Sequence, residues 1–174
     1  KLANYVLFFW LPFYLKTQVS SSPIVSNLIA ACFSVGMMPG GILIGYFHDT
    51  FPTKRSTIIG MFMLALMCVL SVLQTTASVS LPVSCVIIVF MLMGILIGGP
   101  NNIIASVVAV DISSHPSLEG STKSIGTVTG MINGCGSLLA SSGLLFIGPL
   151  QEQYGWKCVW CLLMSCTGCG VSLL

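Results

Sequence analysis

Apolar runs of helix-spanning length alternate along this chain with short polar joints, and the joints hold almost every charge. No Asp, Glu, Lys or Arg occurs in residues 17–48, 56–110, 124–151 or 158–174. A helix crosses a ~30 Å hydrocarbon core with about 20 apolar residues, so the stretch 56–110 is long enough for two crossings. With the opening segment, the pattern predicts six transmembrane helices, at about 2–15, 23–47, 56–75, 82–112, 123–147 and 155–174. The expected class is an all-α membrane protein.

Glycine and proline punctuate these runs. The second helix carries Gly36, Gly40, Gly41 and Gly45, two Gly-x3-Gly spacings that let another helix approach closely, and Pro39, which predicts a kink. Gly126, Gly130 and Gly134 recur every fourth residue on the fifth helix. In the fourth helix, Gly98-Gly99-Pro100 predicts a break, followed at once by Asn101 and Asn102. Broken backbone and amides at membrane depth are tolerated beside protein or a water-filled cavity, so this stretch points to a transporter holding a polar solute near the midplane. The first helix is rich in aromatics, and Asn4 with Tyr5 could line a pathway; most of the other rings read as packing or lipid-facing groups.

Composition agrees. Of 174 residues, 55% are hydrophobic and 6% charged, against roughly 25% charged in soluble domains. The net charge of +2 is too small and scattered for nucleic-acid binding. Lys1, Lys54, Arg55 and Lys123 fall on one side of the predicted topology, against Lys16 and Lys157 on the other. The richer side is expected to be cytosolic. The chain opens at Lys1, close to an apolar run, and closes on Leu174 without a polar tail, which predicts a piece of something longer.

Eight cysteines raise the question of a metal. Cys158/Cys161 and Cys166/Cys169 have zinc-site spacing, but four thiolates on one apolar helix would be desolvated and could not close a tetrahedron. They read as small packing residues, and no cofactor is expected. His48 and His115 read as solvated loop residues. No nucleophile–base pair or phosphate-cradling loop is visible, so the expectation is a carrier and not an enzyme.

Gly45-x3-Asp49 followed by Lys54-Arg55 resembles the loop signature of the major facilitator superfamily, Gly-x3-Asp-Arg-x-Gly-Arg-Arg. Thr50 stands where that pattern has Arg, Pro52 where it has Gly, and the basic pair comes one residue late. With YVLFFWLPFYL (5–15), GGPNNIIASVVAVDI (98–112) and SIGTVTGMINGCG (124–136), the chain resembles the C-terminal half of the sugar-phosphate exchangers, solute carrier family 37, among the organophosphate:phosphate antiporters.

The resemblance implies a multipass protein of the endoplasmic reticulum membrane that exchanges a sugar phosphate, such as glucose 6-phosphate, for inorganic phosphate by alternating access. It also implies an N-terminal half as partner in the bilayer. Gly36, Gly40, Gly41, Gly45, Gly126, Gly130 and Gly134 are then expected to pack between halves, although small residues serve packing within this half equally well. Asp49, Lys54 and Arg55 are expected to form a cytosolic gate, with Asp49 near Ser124 and Ile125. Asn4, Tyr5, Asn101, Asn102 and Asn133 are expected along the substrate pathway. Bacterial members place an Arg on the helix where Asn4 stands, so the cationic anchor for phosphate is expected largely from the other half. A carrier of another organic anion and a non-transporting scaffold are the alternatives.

Overall fold

The computed structural model describes residues 1–19, 22–51, 54–76, 82–113 and 124–172, with side chains for all of these except 76, 105–113 and 124–125. His115, Glu119 and Lys123, and the side chains of Asp111, Ser124 and Ile125, lie outside that description. The described residues form five helices: α1 (Leu2–Gln18), α2 (Pro23–Thr50), α3 (Arg55–Thr76), α4 (Val83–Ser113) and α5 (Ser124–Ser172). Four of them, α2 to α5, are long and apolar enough to cross a membrane. The expected count of six gives way to five because residues 148–157 do not form a loop. Instead α5 runs through that stretch with one non-helical residue, Gly155, at φ 75° and ψ 178°.

That residue turns the chain back. Lys1 meets Asn133, Tyr5 meets Ser137 and Trp10 meets Gly148, so the arm 124–154 runs parallel to α1. Beyond Gly155 the order inverts: Tyr14 stacks on Trp156 and Trp160, each at 5.0 Å between ring centroids, whereas Thr167 and Gly170 lie beside Asn4. The arm 156–172 is antiparallel to α1. It is antiparallel to α3 as well, with Gln74 on Cys161, Ser71 on Met164 and Met67 on Gly168.

The tightest packing joins α2 to α4. A Cβ on Gly36 would strike the backbone of Met91, one on Gly40 the backbone of Ile95, and one on Gly94 that of Phe33. At Gly98 it would come 2.6 Å from Met37 Cα, and at Gly99 2.8 Å from the Gly40 carbonyl oxygen. The expected break at Gly98-Gly99-Pro100 therefore does not occur. Residues 97–100 are buried within a continuous helix, and the glycines bring two backbones into contact instead of unwinding one. α2 likewise continues through Pro39.

The ends of the helices follow local chemistry. At the start of α2, the Ser22 hydroxyl accepts from the Val25 amide and Pro23 fills the first helical position. α2 extends three residues beyond its expected end, with the Thr50 hydroxyl donating to the Tyr46 carbonyl oxygen at 2.8 Å. This carries His48 into the helix, where it is 5% exposed, and corrects its assignment to a solvated loop. The main core gathers Leu7, Leu11, Leu15, Phe33, Phe90 and Trp160 from α1, α2, α4 and the second arm of α5. A smaller cluster of Ile44, Ile58, Ile59 and Ile103 closes the other end.

Gly98→Ala would press a methyl into the α2 backbone. Overpacking of this kind costs about 1–3 kcal/mol, whereas Gly60→Ala, with nothing within 4 Å of its Cβ position, gains roughly 0.5–1 kcal/mol of helix propensity. Thermal unfolding of the detergent-solubilised protein is expected to show a lowered midpoint for Gly98→Ala and an equal or raised one for Gly60→Ala. In the same assay Gly155→Ala is expected to destabilise by about 1–3 kcal/mol, because φ 75° with ψ 178° is a backbone conformation that essentially only glycine adopts.

Candidate functional site

The polar residues expected along a pathway divide between three places. The first is the seam between α1 and the first arm of α5. Here Lys1 Nζ donates to Asn133 Oδ1 at 2.7 Å, and one turn further on the Tyr5 hydroxyl donates to Ser137 Oγ at 2.9 Å. The four-residue step is the same on both helices, so one register serves both bonds. Close approach is possible because Gly136 offers only a hydrogen to the Lys1 chain, which lies 2.9 Å from its Cβ position. Both Lys1 bonds to Asn133 are exposed.

Beside this seam runs a bare face of α5. At Gly126, Gly130 and Gly134 an added Cβ would meet nothing within 4 Å. Met131, Leu138, Leu139, Leu145 and Phe146 on the same arm are each more than three-fifths exposed. On α2, Gly45 is equally open, and Gly41 meets only the Asn102 amide nitrogen, at 3.3 Å. Asn102 is therefore the second place, an exposed amide against a glycine of α2. Gly36 and Gly40 are spent on α4, which moves the expectation of interhalf packing off those two.

The third place is a cavity of about 370 Å³, walled by α1, α3, α4 and both arms of α5. Asn4 and Asn101, nearly a hundred positions apart in the chain, both line it. Its wall is otherwise mostly apolar, with Ile59, Leu66, Ile97 and Ile132 among its residues. Asn4 is 9% exposed and its Oδ1 has no hydrogen-bond partner. Thr167 also lines the cavity, but its hydroxyl donates to the Leu163 carbonyl oxygen at 2.7 Å. Sequence reasoning missed Thr167 and Ser137, because neither lies in a recognisable motif.

At the α2–α3 joint, Asp49 and Lys54 are exposed and Arg55 is half-buried. The eight cysteines are free thiols, and among the described residues no cluster of His, Cys, Asp and Glu could hold a metal.

Comparison with known proteins gives matches along nearly the whole chain. The chain is 35% identical over 178 residues to an Arabidopsis thaliana protein provisionally named glycerol-3-phosphate transporter 4, and 32% identical over 174 residues to the glucose-6-phosphate exchanger SLC37A1 of Homo sapiens. It is 27% identical over 171 residues to sugar phosphate exchanger 3 of Mus musculus. These matches cover 100%, 100% and 98% of this chain and 32%, 32% and 34% of the respective relatives. The chain thus spans about a third of the length of the curated relatives it matches. No family model and no solved structure matches it.

The Tyr5–Ser137 bond can be weighed directly. Interhelical hydrogen bonds in membrane proteins average about 0.6 kcal/mol in double-mutant cycles. A cycle of Tyr5→Phe and Ser137→Ala, read from reversible unfolding in detergent, is expected to return a coupling of that order and of stabilising sign.

Proposed function

This chain is homologous over its whole length to the sugar phosphate exchangers of solute carrier family 37, and from that premise we propose that the protein exchanges a sugar phosphate for inorganic phosphate across a membrane. The observation that carries the reading is the end-to-end match to proteins named as exchangers. Helices with the length and apolarity to cross a membrane agree with it.

In this reading the chain is the C-terminal half of a major facilitator fold, with the two arms of α5 as separate crossings. Their opposite directions against α1 support that division. Gly41, Gly45, Gly126, Gly130 and Gly134 meet the N-terminal half, since small residues there lack a full partner in this chain. The joint bearing Asp49, Lys54 and Arg55 is the cytosolic gate. The protein resides in the endoplasmic reticulum membrane.

The substrate passes along the seam of α1 and α5. A sugar phosphate needs a cation, and Lys1 supplies one on this side: its ammonium group is exposed and held in place by Asn133. In the seam Tyr5 offers a half-buried hydroxyl, and apart from it Asn102 presents an exposed position on α4. The open seam keeps the Lys1 ammonium hydrated until substrate arrives, so it bears no uncompensated burial cost.

Purified full-length protein in liposomes is expected to take up labelled glucose 6-phosphate several-fold faster when the vesicles contain phosphate. Glycerol 3-phosphate serves as the second substrate arm. Lys1→Met is expected to raise the apparent KM for the sugar phosphate, and Lys1→Arg to keep it near that of the unaltered protein. Uptake that ignores internal phosphate would replace exchange by facilitated passage, and no uptake of either substrate would remove the transport reading.

A further inference from the structure

The cavity has a chemistry different from that of the seam. Its free capacity for hydrogen bonding is small: Lys1 Nζ is bound to Asn133 and the Thr167 hydroxyl to its own helix. What remains is the Asn4 Oδ1 acceptor, over nine-tenths buried and without a partner, and the half-buried amide of Asn101. Around them stand Ile, Leu and Met side chains of α3 and α4.

A phosphorylated hexose does not suit such a wall. Each hydroxyl buried without a partner costs about 1–3 kcal/mol, and a phosphate placed there would lose its water to a wall whose one cation, Lys1, is already bound to Asn133. The complementary molecule has an apolar body and a single uncharged donor. Its body replaces water against the apolar wall, and its donor satisfies Asn4 Oδ1. Volumes of about 300–1,000 Å³ are typical of sites for small organic ligands, and this one reaches about 370 Å³. The chain is embedded in a phase that supplies molecules of this kind. We propose that the cavity binds an uncharged membrane lipid through one hydroxyl, which donates to Asn4 Oδ1 beside Asn101.

The cavity borders the proposed exchange pathway and shares Lys1 with it, but the lipid reading rests on Asn4 and the apolar wall and does not depend on exchange. Cys166, Ile104 and Gly170 line the cavity and are exposed, which places its mouth at the end formed by α4 and the second arm of α5. Sterols and diacylglycerols share the required chemistry, an apolar body with one free hydroxyl, whereas phosphatidylcholine has no hydroxyl to donate.

The test uses full-length protein in liposomes with three photoreactive diazirine lipids, namely a sterol, a diacylglycerol and a phosphatidylcholine, and maps the labelled residues by mass spectrometry. Labelling of Met63, Ile104 or Cys166 by a hydroxylated lipid is expected, and the arm that labels names the source. Asn4→Leu keeps the size and removes the acceptor; it is expected to cut that labelling several-fold. The thermal midpoint of the unaltered protein is expected to rise with the labelling lipid, and that of Asn4→Leu to stay put. Ile104→Trp, at the mouth, blocks entry without touching Asn4 and is expected to reduce labelling in the same way.

Equal labelling by phosphatidylcholine overturns the proposal, as does absence of label from both hydroxylated lipids. So does displacement of the label by glucose 6-phosphate together with loss of exchange in Asn4→Leu, which would make the cavity part of the substrate route. Failure of the exchange reading shows separately, as liposomes that take up no sugar phosphate yet still label.

Discussion

In a bilayer, lipid tails are as apolar as leucine, so moving side chains from lipid to protein supplies little drive for helices to associate. What remains is dispersion between closely fitted surfaces, and that is strongest where backbones themselves touch. α2 and α4 meet this condition through Gly36, Gly40, Gly94, Gly98 and Gly99, each placed where the other helix leaves no room for a Cβ. The parallel run of the two helices follows from the spacing: Gly36 faces Met91, Gly40 faces Ile95 and Ile44 faces Gly99, four residues apart on both sides. Ile29, Phe33 and Ile44 on one helix, with Phe90, Met93 and Ile97 on the other, extend the contact above and below the glycines.

A second constraint sits at Gly155. One residue in left-handed backbone reverses α5, so that its two arms lie against α1 in opposite senses. The turn is fixed by what surrounds it. Trp156 packs on Tyr14 and lies 6.4 Å from Trp10 and 6.1 Å from Trp160 between ring centroids. Large rings with few rotatable bonds hold geometry at low entropic cost, and this cluster joins the start of the second arm to the middle of α1. At Gly126, Gly130 and Gly134 on the first arm, no described residue comes within 4 Å of an added Cβ.

The helices were legible in the sequence because desolvation leaves few alternatives: a charge-free run of such length has to satisfy its own backbone. The ends at Pro23, Arg55 and Val83 fall within a residue of expectation for the same reason, since caps and charges mark where water begins. Glycine was harder to read. Gly98-Gly99-Pro100 has the composition of an unwound segment and also that of a close helix contact, and only the Gly40 carbonyl oxygen 2.8 Å from the Gly99 Cβ position distinguishes them. The same ambiguity split the α2 glycines, with Gly36 and Gly40 facing α4 while Gly45 faces nothing in this chain. His48 was misread because its position among charged residues concealed its register, four residues after Ile44 on the buried face. Asn4 and Asn101 were singled out correctly as unusual, yet periodicity could not say that they would share an apolar cavity.

Polar groups in this chain are sorted by how much water they keep. Lys1 and Asn133 pair in an exposed seam, where a surface charge holds its hydration and the bond costs little to make or break. Asn4 lies on the same helix only three residues from Lys1, but its Oδ1 is buried and unanswered. Three residues on a helix leave the two side chains about 60° apart, neighbours on one face, and both line the cavity; what separates them is depth, Lys1 lying exposed and Asn4 buried. An unpaired carbonyl in an apolar setting costs about 1–3 kcal/mol, and this one borders a cavity of about 370 Å³ with room for a donor. Among the described residues nothing donates to that acceptor. A charged solute would add the loss of its own hydration to the account, whereas a neutral donor carried in an apolar body would not. One face of α1 thus places an exposed cation and a buried acceptor within a single turn.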